Sequence, residues 1–441
     1  MAKLQLDVRV SKSPELAAHG LLYAIRASES GDRAAALLGY RQAAAARFVH
    51  PDSWSNLAAL AIAVDDSAGA RQHATRALRL DSRHVDAWIN LGVASWHAGQ
   101  HREGAQATHQ ALQYAPGLQT AALNYALMLR AVDQLAQAHD VLAKASSLNP
   151  GQWRLHLALA EVARLLERPD EARRHVLATV EAMPIPGPGP VASPATPVPA
   201  DPKGSETVAT VLMATADALD RASLPFHLIG GTLLALHRDG TLFPHDKDVD
   251  LGMSSDIDRD AVEAALADGF KPVVRHGSRQ AADSRDWVMG FIHRETGLGA
   301  DLMFVHPVGD NVRFQLGWPD HLACEMPAYG LETMRWRDRE WSIPSPPENY
   351  LTALYGPDWN GEVHGRGFDR RYFDTQVSNP SRTPDSLPRA VTLALLRLVE
   401  ALRSGNMAKA DALAIQVLAR EDLAEVRRLR VRLAASGDRA A

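Results

Sequence analysis

Two aspartates in a short alternating run are the residues of this sequence best suited to chemistry. Asp248-Val249-Asp250-Leu251 alternates acidic and apolar residues, and successive side chains of a strand point to opposite faces. Asp248 and Asp250 would then share one face, while Val249 and Leu251 would anchor the other face in the core. Two unit charges about 4 Å apart repel by roughly 4 kcal/mol at an effective dielectric near 20, so this pair needs a proton, a basic neighbour or a metal ion. We predict Mg²⁺ or Mn²⁺ at Asp248 and Asp250, bridging to substrate phosphates.

A glycine turn precedes these acids. The run Phe226 to Ile229 has the length and composition of a strand, and Gly230-Gly231 and a helical run beginning at Thr232 follow it. Two glycines let the backbone approach an anion closely, and the first N–H groups of a helix have no partner within it, so they can bind phosphate oxygens. We therefore predict that Gly230, Gly231 and Thr232 bind substrate.

Three further charged residues complete the predicted site. Asp301 interrupts a short apolar strand, where an unpaired aspartate is rare, so we interpret it as a general base or a third carboxylate of the metal site. Arg238 would neutralise a donor phosphate or pair with Asp239 at the surface. Asp246 would orient the site from an outer position or cap the turn before the strand.

The motif resembles the nucleotidyltransferase superfamily, in which a glycine turn precedes an acid, apolar, acid, apolar strand and a third acid follows. Within it, the segment looks like the LicD/fukutin family, because the run Gly230 to Ala235, Arg238, Pro244 and the run Asp246 to Asp250 fall in register with its motifs. His245 stands where that family usually has tryptophan. A proline-rich stretch from Pro344 and the run Tyr355-Gly356-Pro357-Asp358-Trp359 are similar to the family's closing motifs, and Tyr355 and Trp359 would stack on a base or pin this tail to the core.

This resemblance implies a metal-dependent transferase. Its donor would be a CDP-linked alcohol, and the phospho-alcohol group, such as phosphocholine or a polyol phosphate, would pass to a hydroxyl of a glycan or glycoconjugate. Two alternatives stay open: a nucleotidyltransferase that modifies a protein or small molecule, and a scaffold that has lost catalysis. His227, His237 and His245 have no established zinc-ligand spacing.

The N-terminal part of the chain repeats with a period of 34 residues. Asparagine recurs at this interval at Asn56, Asn90 and Asn124, and 34 residues is the length of a tetratricopeptide (TPR) helix-turn-helix unit. Such units stack into a solenoid with a concave face. The asparagines either line a groove that binds a protein or peptide partner or join neighbouring helices.

The repeats, the proline-rich stretch and the family resemblance together divide the chain into four parts. The repeats predict an all-α TPR solenoid over residues 1–184, and the composition predicts a proline-rich linker over residues 185–204. The resemblance implies an α/β nucleotidyltransferase-fold domain with a mixed sheet over residues 205–380, and helical periodicity predicts a C-terminal helical hairpin, broken at Ser404-Gly405-Asn406, over residues 381–441. The fold class is therefore α+β and multidomain.

The remaining composition limits the setting. A net charge of -5 gives no basic footprint for nucleic acid. A single cysteine, Cys324, allows no intrachain disulfide and fits a reducing compartment. The sequence shows neither a secretory signal nor a stretch of about 18 apolar residues. Animal members of the family that this sequence resembles work in the secretory pathway, so the missing signal favours a bacterial, cytoplasmic protein, and we expect no transmembrane segment.

Overall fold

A computed structural model describes residues 6–10, 27, 30–44, 48–185, 202–244, 246–273, 284–316, 319–360 and 372–437. The chain divides into two compact units, Met1–Leu166 and Glu167–Ala441. The predicted proline-rich linker lies mostly outside the described residues, and so does His245. The predicted domain boundaries remain predictions.

The first unit is built from helical hairpins. Its helices are α1 (Arg33–Ala44), α2 (Pro51–Ala63), α3 (Ser67–Leu80), α4 (Val85–His97), α5 (His101–Tyr114), α6 (Gln119–Ala131), α7 (Leu135–Leu148) and α8 (Trp153–Leu165). Helices α2 and α3, α4 and α5, and α6 and α7 pair as hairpins, and each hairpin also contacts the next helix. The prediction of an all-α TPR solenoid is confirmed.

Small residues let the two helices of a hairpin approach closely. A Cβ atom added at Gly104 of α5 would lie 2.8 Å from the carbonyl oxygen of Gly92 on α4. Ala70 and Ala138, at the equivalent positions of the neighbouring hairpins, are fully buried. A larger residue at these positions would therefore push the paired helices apart.

The second unit contains a mixed sheet. Its strands are β1 (His227–Leu228), β2 (Asp248–Ser254), β3 (Phe270–Pro272), β4 (Val288–His293), β5 (Gly299–Val308), β6 (Asn311–Leu316) and β7 (Leu322–Pro327). The order is β1-β2-β5-β4-β3, and β6 pairs with the end of β5 and with β7. Strands β2 and β5 are parallel, and the other pairs are antiparallel. A separate hairpin joins β8 (Gly330–Trp336) and β9 (Arg339–Ser345).

Helices α10 (Pro202–Arg221), α11 (Gly230–Asp239) and α12 (Arg259–Leu266) pack against this sheet. Helix α13 (Pro347–Tyr355) packs against β9 and α11, and the short α14 (Thr375–Ser378) packs against α13. Val249 and Leu251 of β2 lie in the core with Leu302 and Phe304 of β5, as the alternation of β2 predicts. The acids of β2 are therefore left on the other face of the strand.

Three helices follow near the C-terminus: α15 (Leu387–Arg403), α16 (Met407–Leu418) and α17 (Ala424–Gly437). The predicted hairpin, broken at residues 404–406, is present as α15 and α16, and α17 is an addition to it. No glycine or proline marks the break at residues 419–423. None of the helices in the described part of the chain is long and apolar enough to cross a membrane.

Helix α9 (Pro169–Ala182), the second helix of the last repeat in the sequence, belongs to the second unit and packs against α15 and α17. Arg432 of α17 donates hydrogen bonds to the carbonyl oxygens of Val180 at 2.6 Å and Met183 at 3.1 Å. These acceptors lie at the C-terminal end of α9, where carbonyls have no partner within the helix. The C-terminal helices thus cap the end of α9.

Candidate active site

The three predicted catalytic acids lie on two adjacent parallel strands. Asp248 and Asp250 are on β2, and Asp250 is directly opposite Asp301 on β5 in the strand register. Paired residues of neighbouring strands project from the same face of a sheet. Asp250 and Asp301 therefore share the face that Asp248 also occupies, because Asp248 is two residues from Asp250.

The charges of these acids act on one another. Burial, followed by the charges of Asp248 and Asp301, raises the pKa of Asp250 to about 8. Burial also raises the pKa of Asp248, whereas nearby Lys247 lowers it. Burial and the charge of Asp248 raise the pKa of Asp246 to about 7. Protons on Asp246 and Asp250 relieve this crowding in the absence of a cation.

A glycine makes room for each of the three predicted catalytic acids. A Cβ atom added at Gly230 would lie 2.5 Å from Asp250 Oδ2, and one at Gly290 would lie 3.1 Å from Asp301 Oδ1. At Gly299, the neighbour of Asp248 across the strands, an added Cβ atom would lie 3.0 Å from the Cβ of Asp248. Sequence reasoning missed Gly290 and Gly299, because only the register shows which glycine lies beside which acid.

The Gly230-Gly231 turn binds Asp250 in this structure. The backbone N–H of Gly231 donates a hydrogen bond of 2.8 Å to Asp250 Oδ2, and Gly230 has φ +56°, a left-handed conformation that favours glycine. The Thr232 hydroxyl accepts a hydrogen bond of 2.8 Å from the backbone N–H of Asp250. Gly231 and Thr232 thus join the start of α11 to β2, and their predicted role in binding substrate stays a prediction.

Asp246 and Arg238 lie at the edge of this cluster. The Oδ2 atom of Asp246 is 4.0 Å from the position of a Cβ atom added at Gly231. The Arg238 guanidinium donates two hydrogen bonds of 2.8 Å to the Asp239 carboxylate. Of the two roles predicted for Arg238, this is the surface ion pair. Arg238 and Asp246 both act electrostatically on the Tyr355 hydroxyl, so both lie near Tyr355.

A cavity of about 260 Å³ opens beside Asp250. Ligand pockets commonly have volumes of about 300–1,000 Å³, so this one is small. Its lining includes the Gly230-Gly231 turn, Asp250, Tyr350 and Tyr355, together with Gln376, Asn379 and Arg382. A larger cavity, about 700 Å³, lies at the other end of β2 beside Met253 and Ser254 and does not include the acids.

Arg382 is a buried cation in the wall of the smaller cavity. It donates hydrogen bonds to the carbonyl oxygens of Leu322 at 2.8 Å and Gln376 at 3.0 Å, and to Gln376 Oε1 at 2.8 Å. Burial lowers its pKa, although the charge of Asp374 opposes this shift. No periodic signal in the sequence marks Arg382, which follows the predicted catalytic domain in an irregular polar segment.

The closing motif holds the tail against the core. Trp359 is buried in the core of the second unit and donates a hydrogen bond of 3.1 Å to the Thr352 hydroxyl. Its ring centroid is 5.7 Å from that of His237. Trp359 therefore pins the tail to the core and does not stack on a base. Tyr355, by contrast, lines the cavity.

The described residues contain no group of three or more His, Cys, Asp or Glu side chains arranged to hold a metal ion. His227 contacts the Tyr329 hydroxyl at 3.0 Å, and His237 contacts Glu348 at 3.2 Å. The two histidines thus have different partners. The acid pair still fits Mg²⁺, which is commonly bound by one or two carboxylates and completed by water and substrate phosphates. Burial raises the pKa of both acids, and the charges of the neighbouring acids add to the shift of Asp250, so a cation would stabilise the charged forms of this pair.

Comparison with protein families supports the sequence resemblance. Residues 223–344 match the family model for LicD/FKTN/FKRP, nucleotidyltransferase domain. This range contains the glycine turn, β2 and Asp301, and ends before Arg382. No match was found among curated proteins.

Solved structures of TPR proteins resemble part of the chain. The Thermus thermophilus TPR protein TTC0263 is 18% identical over 37% of this chain and 90% of its own, with a TM-score of 0.32. Pseudomonas aeruginosa PilF is 20% identical over 37% of this chain and 74% of its own, with a TM-score of 0.33. YrrB, a TPR protein with an unusual peptide-binding site, is 21% identical over 31% of this chain and 70% of its own, with a TM-score of 0.27. These scores are low, so the repeat assignment rests on the 34-residue period and the paired helices. The chain therefore joins TPR-type helical hairpins to a segment, residues 223–344, that matches the LicD family.

Proposed function

We propose that this protein is a metal-dependent transferase that moves a phospho-alcohol group, such as phosphocholine or a polyol phosphate, from a CDP-linked donor to a hydroxyl of a glycan or glycoconjugate. Its TPR-type repeats recruit a protein partner or the acceptor, and it works in the cytoplasm. The register that places Asp250 opposite Asp301, with the pKa of Asp250 raised to about 8, is the observation that carries the proposal. The LicD family match over the same strands supports it.

Asp248 and Asp250 would hold Mg²⁺ or Mn²⁺. Such an ion supplies positive charge that offsets the charge developing on the phosphate oxygens as the nucleotide leaves. Both acids have raised pKa values, which binding of a cation would lower. Two carboxylates leave most of the coordination sphere to water and donor phosphates, as Mg²⁺ prefers.

The reaction is a displacement at phosphorus. Asp301 accepts the proton of the acceptor hydroxyl, whose oxygen forms a bond to the phosphorus that carries the alcohol. The bond from this phosphorus to the bridging oxygen breaks, and CMP leaves with the electron pair. The Gly230-Gly231 turn and Arg238 would bind the diphosphate when the donor is present, in exchange for their contacts with Asp250 and Asp239 in this structure. Gly290 keeps space for the Asp301 carboxylate. Correct placement of the reacting groups supplies much of the rate enhancement.

Binding of the donor tests this proposal without knowledge of the acceptor. Isothermal titration with CDP-choline and CDP-ribitol, each with Mg²⁺ and with EDTA, is expected to show Mg²⁺-dependent binding of one donor to the native protein. Asp250→Asn should weaken this binding at least tenfold. Asp256→Asn, in an exposed acid just beyond the other end of β2, is the matched control and should leave it unchanged.

The outcomes separate the alternative functions. If the folded protein binds neither donor with Mg²⁺, or binds equally in Asp250→Asn, the transferase assignment is wrong and the scaffold alternative gains support. Radiolabelled CDP-choline, CDP-ribitol and ATP are then incubated with a lysate and the protein. Label on a protein band indicates modification of a protein, whereas label on a glycan fraction supports the proposed transfer.

A further inference from the structure

A short N-terminal segment lies along the asparagines of the first unit. The backbone N–H of Asp7 donates a hydrogen bond of 2.9 Å to Asn124 Oδ1, and Asn124 Nδ2 donates one of 2.7 Å to the carbonyl oxygen of Asp7. Asn90 makes the same pair of hydrogen bonds with Arg9, both 2.9 Å long. Each asparagine therefore binds both backbone groups of one residue.

The spacing of these contacts is regular. Asn124 and Asn90 are one repeat of 34 residues apart, and their partners Asp7 and Arg9 are two residues apart. Alternate residues of an extended chain present their backbone groups to the same side. Successive repeats thus bind alternate residues of an extended segment, which runs antiparallel to the order of the repeats.

Side chains fix the direction of the segment. Asp7 accepts a hydrogen bond of 2.7 Å from Arg154 of α8, and Arg9 donates one of 3.0 Å to Asp86 of α4. Leu6 lies in the apolar core of the first unit and Val8 packs against it. Partly exposed ion pairs add little affinity, but a reversed segment would bring like charges together at both ends.

We propose that residues 6–10 are a built-in ligand that closes the concave face of the repeats, and that this face binds a partner peptide with the same pattern, an acid followed two residues later by a base. The proposal deepens the recruiting role proposed above and rests on it. The partner peptide must displace residues 6–10, so its apparent affinity is its intrinsic affinity multiplied by the fraction of molecules in which the face is unoccupied.

Asn90 binds a neighbouring helix as well as the N-terminal segment. Asn90 Nδ2 also donates hydrogen bonds to the carbonyl oxygen of Ser55 at 3.0 Å and to its hydroxyl at 3.1 Å. Part of its role is therefore to join neighbouring helices, as the structural alternative predicts. Asn124, by contrast, uses both atoms of its amide group on Asp7, so Asn124 is the better residue to change.

The test uses the full chain and a fluorescein-labelled synthetic peptide of residues 4–12. Its binding is followed by fluorescence polarisation. The double variant Asp7→Arg with Arg9→Asp places like charges against Arg154 and Asp86 and should release the segment. We expect this variant to bind the peptide at least tenfold more tightly than the native protein.

Three controls make the result specific. Asp81→Arg with Arg83→Asp swaps an exposed acid and base of the same spacing in the turn after α3, and it should bind the peptide as the native protein does. Adding Asn124→Ala to the opened variant should weaken binding at least tenfold. A labelled peptide with its acid and base exchanged should bind the opened variant at least tenfold more weakly.

Other outcomes would overturn the proposal. These are equal binding by the native and opened proteins, or no binding by an opened variant whose circular dichroism is native. A native dimer in sedimentation that dissociates as peptide binds would show that the segment reaches a second copy instead. If the opened variant does not fold, hydrogen exchange of residues 6–10 decides: saturating peptide should remove their protection in the native chain, and unchanged protection contradicts the proposal. Donor binding is measured on the same samples, so a failed transferase assignment leaves the peptide result readable.

Discussion

Gly290 of β4 is directly opposite Asp301 of β5, and a Cβ atom added at Gly290 would lie 3.1 Å from Asp301 Oδ1. The absence of a side chain at residue 290 therefore determines where the Asp301 carboxylate can lie. The third acid is placed by a neighbouring strand as well as by its own.

Gly290→Ala is expected to reduce turnover roughly tenfold and to leave the fold intact. Displacing a catalytic group by 1 Å can lower the rate about 100-fold, and Gly290→Ala requires a smaller displacement of the Asp301 carboxylate. Steady-state CMP release measures the effect. Gly269→Ala is the control, since an added Cβ atom there has no heavy atom within 4 Å. Equal rates for the two variants would show that Asp301 need not be held in place.

Gly230→Ala should be more damaging than Gly240→Ala. Both glycines have positive φ, +56° and +68°, so each substitution carries a conformational cost of about 1–2 kcal/mol. Only Gly230 is also crowded, because its added Cβ atom would lie 2.5 Å from Asp250 Oδ2. Urea unfolding should show a larger loss of stability for Gly230→Ala, together with at least 100-fold slower turnover. Similar losses in both variants would refute a special role for the turn.

The acids predict a pH dependence for the metal-free protein. The pKa of Asp250 is raised to about 8 and that of Asp246 to about 7, so between about pH 4 and pH 8 the folded state binds more protons than the unfolded state. The free energy of unfolding contributed by these groups therefore falls as pH rises. Thermal unfolding in EDTA should show Asp250→Asn gaining stability relative to the native protein from pH 5 to pH 8.

Two comparisons control this measurement. Burial lowers the pKa of His227 to about 4, so this histidine adds stability that rises with pH up to about 6.5. Subtracting the curve of Asp250→Asn from that of the native protein removes this contribution. Mg²⁺ should raise the melting temperature of the native protein more at pH 8 than at pH 5. A difference curve without slope would contradict the crowding of the acids.

Arg382→Met should destabilise the second unit by about 2 kcal/mol or more. The substitution leaves the buried carbonyl oxygen of Leu322 and the partly buried one of Gln376 without the guanidinium that binds them, and an unsatisfied buried group costs about 1–3 kcal/mol. Arg403→Ala, which removes an exposed pair with Glu400, should stay within about 0.5 kcal/mol of the native protein. Chemical denaturation compares the two, and a neutral Arg382→Met would mean that water replaces its hydrogen bonds.

Local patterns predicted the repeats and the acid strand, and the family resemblance implied the mixed sheet. The 34-residue period indicated the hairpins because each repeats the same buried positions, and the alternation at Asp248 to Leu251 indicated which side chains face the core. The sequence also singled out Asp301, although its register with Asp250 needed coordinates. Pairing between distant strands depends on the whole sheet, so no local pattern shows it.

The parts that sequence reasoning missed depend on contacts between distant segments. Arg382 lines the cavity beside Asp250, but its neighbours along the chain form no periodic pattern. Asp7, which is hydrogen-bonded to Asn124 in the structure, is 117 residues away from it along the chain. The spacing of Asn90 and Asn124 left open whether they bind a partner or join neighbouring helices, and it provided no means of choosing the N-terminal segment.

Dissection of the protein is constrained by the packing of α9. The proline-rich stretch after this helix is the obvious place to cut when only the transferase region is to be expressed. Such a cut would strip α9 from α15 and α17 and leave Arg432 without the carbonyl oxygens of Val180 and Met183. The apolar surface exposed on α15 and α17 would favour aggregation. An expressible fragment should therefore start ahead of Pro169 and retain the proline-rich stretch.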